Sequence, residues 1–161
     1  DAWGIRWEKG GAFNQIVASP LAGAEPGTWG AFRFPEAMRD ELVGLLAPAA
    51  ADAASSAAFL AADVSPCVFE MYNRLRGMEE AILDLALRPT EASALMGRCA
   101  DFALDLASAS MARYPLDMLW TGDDVASQSS MLMSPAAWRE LVKPHLARVV
   151  GAGKLSGLVT A

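Results

Sequence analysis

The run from Trp120 to Pro144, W-T-G-D-D-V-A-S-Q-S-S-M-L-M-S-P-A-A-W-R-E-L-V-K-P, constrains the fold more than any other part of the chain. Leu116 to Trp120 is a short apolar run of the length of a buried strand. It empties into Gly122, Asp123 and Asp124. A polar loop with Gln128 follows, and Ser134-Pro135 then opens a helix, with serine suited to the N-cap and proline to the first turn. Strand, acidic tip, loop and capped helix form the layout of an α/β enzyme site, because ligands collect where parallel strands end. Two carboxylates and an amide at such a tip can bind a polar substrate or move protons. Gly-Asp-Asp is also a good turn, since aspartate bonds its own backbone and caps helices. Catalysis and turn-making both stay open for Asp123 and Asp124.

The segments around this run alternate between helix and strand. Met78, Ala81, Ile82, Leu85 and Ala86 recur at helical spacing. Glu79, Glu80 and Asp84 are expected to point away from that stripe, with Asp84 able to pair with Arg88 one turn on. Pro89 ends this helix and begins the next, whose stripe is Leu95, Cys99, Phe102, Leu106 and Ala109. Tyr114-Pro115 stops it before the strand. The last helix carries Trp138, Leu141, Val142, His145, Leu146, Val149 and Val150 on its buried side. Pro144 should kink or split it, and Gly151 and Gly153 should end it. Leu155 to Thr160 reads as one more strand. Helix, strand, helix, strand implies a parallel sheet with covering helices.

Residues 1 to 35 differ, being rich in Gly, Pro and Trp. They read as short extended pieces, Ile5 to Trp7 and Ala12 to Val17, joined by turns. Pro35 to Leu46 is an expected helix, and Ala57 to Ala61 is a candidate short strand.

Composition removes several functions. With 13 Lys and Arg against 19 Asp and Glu the net charge is −6, so the chain lacks the basic footprint that nucleic acid requires. No apolar run approaches the roughly 18 residues that cross a bilayer, and no basic amphipathic stretch suits a membrane surface. Cys67 and Cys99 have no C-x-x-C spacing. Each falls in a helical pattern and reads as a small buried hydrophobe in a reducing, cytoplasmic setting. His145, the only histidine, lies on an apolar stripe and reads as a packed residue with one hydrogen-bond partner. No second donor at ligand spacing points to a metal.

Three blocks, N-R-L-R-G-M-E-E-A-I-L-D-L-A-L-R-P, Y-P-L-D-M-L-W-T-G-D-D-V-A-S-Q and M-S-P-A-A-W-R-E-L-V-K-P, together with the opening D-A-W-G-I-R-W, resemble the uroporphyrinogen decarboxylase superfamily. The resemblance covers most of residues 1 to 154. It implies an α/β fold: a (β/α)8 TIM barrel, here partial and incomplete at both ends. Residues 1–161 would be one partial barrel domain, with 1–35 an irregular entry segment and 36–161 βα units. A barrel needs about 250 residues, so the chain is expected to be a fragment.

The superfamily's activities are uroporphyrinogen decarboxylation, in tetrapyrrole biosynthesis, and zinc-dependent methyl transfer to or from corrinoid carriers. The Thr121-Gly122-Asp123-Asp124 block is closer to the methyltransferase-like branch. The decarboxylases tend to carry a Phe-Asp-Ser-Trp-Ala-Gly type block there. The resemblance maps Asp123 and Asp124 onto the catalytic barrel mouth and Gln128 onto substrate binding, and only one of the two aspartates is expected to face the site. It implies a small-molecule methyl donor or a tetrapyrrole as ligand, and zinc and a corrinoid protein as helpers of a longer parent. The zinc ligands of that branch, a His-x-Cys pair and a later Cys, would come after Ala161, so this chain is expected to hold no zinc and to be inactive alone. A different expectation is a non-catalytic module, a barrel piece that binds a partner or does nothing.

Overall fold

The computed structural model describes residues 1–11 and 13–161. The chain opens with an antiparallel hairpin, β1 (Arg6–Gly10) and β2 (Phe13–Ala18), turned through Gly10 and Gly11. Gly11 has a φ of 39°, a left-handed conformation that glycine takes without a Cβ clash. Two extended pieces were expected here, but β1 starts one residue after Ile5 and runs on past Trp7 to Gly10. Ala12, where the second was to begin, lies outside the described residues.

A 3-10 turn over Pro26–Ala31 follows, with Trp29 buried. The helix expected over Pro35 to Leu46 is split into a 3-10 turn, Glu36–Met38, and α1, Arg39–Gly44. The alanine-rich α2 runs from Ala47 to Ser56. The first parallel strand, β3, is Ala61–Asp63, so the candidate strand at Ala57 to Ala61 lies several residues further on. Ala57 instead closes α2 in a left-handed conformation, φ 55°.

Three helices fill the middle: α3 (Phe69–Arg76), α4 (Met78–Leu87) and the long α5 (Pro89–Arg113). Cys67 lies in the bend before α3, not in a helix as its local pattern suggested. Strand β4 is Met118–Trp120, the end of the expected apolar run. Ser134 caps the last helical stretch as expected, its Oγ accepting the Ala137 N–H at 3.1 Å.

The stretch is helical over α6 (Pro135–Ala137), widens to a π-helix over Trp138–Val142, and continues as α7 (Lys143–Leu155). The wide turn sits where a break was expected, because Pro144 has no N–H to close a bond onto the preceding turn. Gly151 and Gly153 do not end this helix, which runs on to Leu155. The last strand, β5, is accordingly only Val159–Thr160. Gly153 is needed inside the helix because α7 packs hard on the sheet. A Cβ there would lie 2.7 Å from Thr160 Cγ2 and 3.2 Å from Leu119 Cβ.

The three strands pair in parallel in the order β3-β4-β5. Ala62, Leu119 and Thr160 face the helix layer. Ala61, Asp63, Met118, Trp120 and Val159 occupy the other face by the two-residue period of a strand. That face is open, with Trp120 46 % and Val159 57 % exposed. The result is a mixed α/β fold with a three-stranded parallel sheet and no closed barrel among the described residues.

Asp84 departs most from expectation. It turns inward and is fully buried, where it accepts from Arg76 Nε at 2.8 Å, Arg88 Nη1 at 2.7 Å and the Tyr72 hydroxyl at 3.2 Å. The pairing with Arg88 is the expected one, but the aspartate serves the core. Arg76 also donates to the Leu21 carbonyl and stacks over the Trp29 ring, 4.2 Å from its centre, so it ties the N-terminal segment to α3 and α4. Burial, reinforced by the Asp84 carboxylate, pushes the Tyr72 hydroxyl well above its ordinary pKa.

Candidate functional site

Both aspartates follow the C-terminal end of β4, and their side chains do different things. Asp123 turns back onto the start of α3. Its carboxylate accepts the backbone N–H of Glu70 at 2.8 Å, of Phe69 at 3.0 Å and of Val68 at 3.3 Å. These are the unpaired donors of a helix N-terminus, and an anion there is favoured by the helix dipole. Burial pushes the Asp123 carboxyl above the usual aspartate range, while the three N–H bonds pull the other way.

Asp124 stays exposed. Its Oδ1 accepts the Ala126 N–H at 3.3 Å, and it lines a groove of about 500 Å³ between the hairpin, α3 and the loop after β4. Asn73, Glu70, Arg74, Trp7 and Leu132 share that groove with it. Arg74 is held by Glu70 at 2.5 Å and lies over the Trp7 ring, 5.6 Å from its centre. The indole Nε1 of Trp7 is in turn fixed by the Asp1 carboxylate at 2.7 Å.

Asn73 is 7 % exposed, and its side-chain amide has no hydrogen-bond partner among the described residues. An amide that opens onto a groove without a protein partner is free to bond a ligand or water there. Sequence reasoning passed over Asn73, Glu70 and Arg74. The signal was present: Phe69, Tyr72, Asn73 and Arg76 share one face of α3, and a neutral amide on a buried face is out of place there.

Gln128 is exposed. A tight turn from Ser127 to Ser130, closed by the Ser130 carbonyl accepting the Ser127 N–H at 2.7 Å, carries it outward. It lines neither the groove nor the cavity beside β3.

Donors for zinc do not come together among the described residues. Cys67 is fully buried, donates its thiol to the Thr121 carbonyl at 2.9 Å, and has its pKa pushed up to about 12 by burial and then by Asp123. Cys99 is buried and pushed higher still, again chiefly by burial. His145 Nε2 is 2.9 Å from the Ser93 hydroxyl. No group of three His, Cys, Asp or Glu side chains is close enough to hold a metal among the described residues. The residues present therefore do not fit a zinc site. No helix among the described residues is long and apolar enough to cross a membrane.

No protein-family model matches the chain. No curated protein matches it either. A solved structure does: a methyltransferase from Methanosarcina mazei is similar over 99 % of this chain, with a TM-score of 0.64 and 14 % identity. At that identity the likeness is one of fold. The match covers 46 % of the methyltransferase, so this chain spans about half its length.

Proposed function

We propose that the chain is part of a methyl-transfer enzyme with a barrel fold of the uroporphyrinogen decarboxylase type, and that the groove holding Asp124 and Asn73 receives the methyl donor. The observation that carries this reading is the unpartnered Asn73 amide beside Asp124 at the C-terminal end of a parallel sheet, where α/β folds keep their ligands. The likeness in fold to a methyltransferase supports the reaction class.

In this reading Asn73 hydrogen-bonds the polar group of the donor, and Asp124 accepts a second bond from it. Together they fix the heteroatom so that its methyl group points along one line of attack. The fixed Trp7 ring and the Arg74–Glu70 pair wall the groove and narrow the approach of water. Asp123 acts on the site indirectly, by anchoring the helix that carries Asn73. Gln128 would reach substrate only through its loop. A corrinoid carrier, as acceptor, would supply the nucleophile, and the electron pair of the broken methyl–heteroatom bond would stay on the demethylated donor, which Asn73 hydrogen-bonds. No step is assigned to zinc, since the side chains here do not hold it.

The test is methyl transfer by the longer parent protein to a reduced corrinoid, followed by its visible absorbance, with uroporphyrinogen decarboxylation assayed in parallel. Asp124→Asn and Asn73→Leu should each lower methyl transfer by about 10²-fold with unfolding midpoints unchanged. Decarboxylation without methyl transfer, or full methyl transfer by both variants, rejects the proposal.

A further inference from the structure

A second cavity lies on the other side of Arg74 from the groove. It measures about 480 Å³ and runs along the outer edge of β3, within the size range of small-molecule sites. Its walls are Leu42, Val43, Leu46, Phe102 and Leu106. Its two ends are polar and chemically different.

One end is Ser110. The chain leaves α5 at Arg113 and enters β4 at Met118, so Ser110 lies by the N-terminal end of the strands. It is 4 % exposed, it lines the cavity, and its hydroxyl has no partner among the described residues. The other end is Asp63, the last residue of β3. Its Oδ1 accepts the Ser65 N–H at 2.8 Å, and its second oxygen is free among the described residues. Arg74 reaches this rim but is paired with Glu70, and the Asp1 carboxylate already accepts the Trp3 and Ile5 backbone N–H groups and the Trp7 indole N–H. The unopposed charge at this end is therefore negative.

We propose that this cavity binds a linear amino alcohol: an apolar chain with an ammonium group at Asp63 and a neutral hydroxyl at Ser110. The hydroxyl end must be neutral, because no side chain beside Ser110 in the cavity wall offers a counter-charge. The Trp3 and Phe102 rings, 4.8 Å apart edge to face, give that chain a rigid apolar wall. The inference does not depend on the methyl-transfer reading.

Calorimetric titration of the chain with aminohexanol, hexylamine, hexanol and hydroxyhexanoate tests it. Aminohexanol should bind most tightly and hydroxyhexanoate most weakly. Ser110→Ala should weaken aminohexanol by about 3- to 10-fold and leave hexylamine unchanged. Asp63→Asn should remove the advantage of both amines over hexanol. Ala61→Leu, or Leu46→Phe if the first does not fold, should fill the cavity and abolish binding of all four. The proposal is overturned if hydroxyhexanoate binds as tightly as aminohexanol, if Ser110→Ala does not distinguish aminohexanol from hexylamine, if binding survives a filled cavity, or if folded wild-type protein gives no saturable heat with any probe at millimolar concentration.

Discussion

The Asp123 carboxylate accepts the Glu70 backbone N–H at 2.8 Å, which joins the tip of β4 to the first turn of α3 across 53 residues of sequence. Aspartates adjacent in sequence thus divide the work, one holding a helix and its neighbour facing the groove. Asp123→Ala should cost about 1–3 kcal/mol of stability, through a lost cap and three unpaired donors. Asp124→Ala should change stability by less than about 0.5 kcal/mol. Urea unfolding of the two variants checks the contrast, and equal losses contradict the division.

Asp84 is the aspartate on which the fold depends most. With two guanidinium groups and a phenol converging on it, Asp84→Ala leaves the buried Arg76 with only the half-exposed Glu80, 2.6 Å away, as a carboxylate partner. The expected loss is about 2–4 kcal/mol. A melting temperature within a few degrees of wild type would show that the network rearranges.

His145 makes stability depend on pH. Burial, with Arg148 nearby, lowers its pKa below the ordinary 6.5, and Asp101 opposes this only in part. The folded state therefore favours the neutral ring, and the unfolded chain binds the proton more readily. Stability from this group is complete above about pH 6.5 and is lost as pH falls towards the lower folded value. Unfolding midpoints should drop between about pH 7.5 and about pH 5.5, and the drop should shrink in His145→Gln. A variant with the same slope as wild type would remove His145 from this role.

Both thiols should be inert in the folded protein. With Cys67 pushed up to about 12, the thiolate fraction at neutral pH is on the order of one part in 10⁵. Iodoacetamide followed by mass spectrometry should find neither cysteine modified until denaturant is added. Rapid labelling of Cys67 in native protein would contradict its burial.

Much of this architecture was legible in the sequence because local rules and tertiary needs agreed. Met78 to Leu87 and Pro89 to Arg113 had helical spacing and proline punctuation, and both are helices. Ser134-Pro135 announced a helix start by capping chemistry. The misreadings occur where packing overrules local preference. Gly153 looked like a stop but is the thin point that lets α7 approach Leu119 and Thr160. Asp84 looked solvent-facing, but the buried Arg76 and Tyr72, reaching it from α3, draw it inward. The groove was half legible: Asp124 stood out at the strand tip, whereas Asn73 and Arg74 join it only through the packing of α3 against the hairpin.

The π turn at Trp138–Val142 also sets a phase. Each residue of an α-helix advances the side chains by about 100°, and the wide turn takes up one residue beyond the α-helical count. Upstream of it, Met133 is buried at the end of the loop after β4, beside the capping Ser134. Downstream, Val149 and Gly153 meet the sheet. The two halves are correctly aimed at the same time only because of that extra residue. Deleting one residue between Trp138 and Val142 would leave every apolar side chain present and turn one half away from its partner by roughly a quarter of a revolution. The stretch behaves as two helices clocked against each other, and its composition alone does not record the setting.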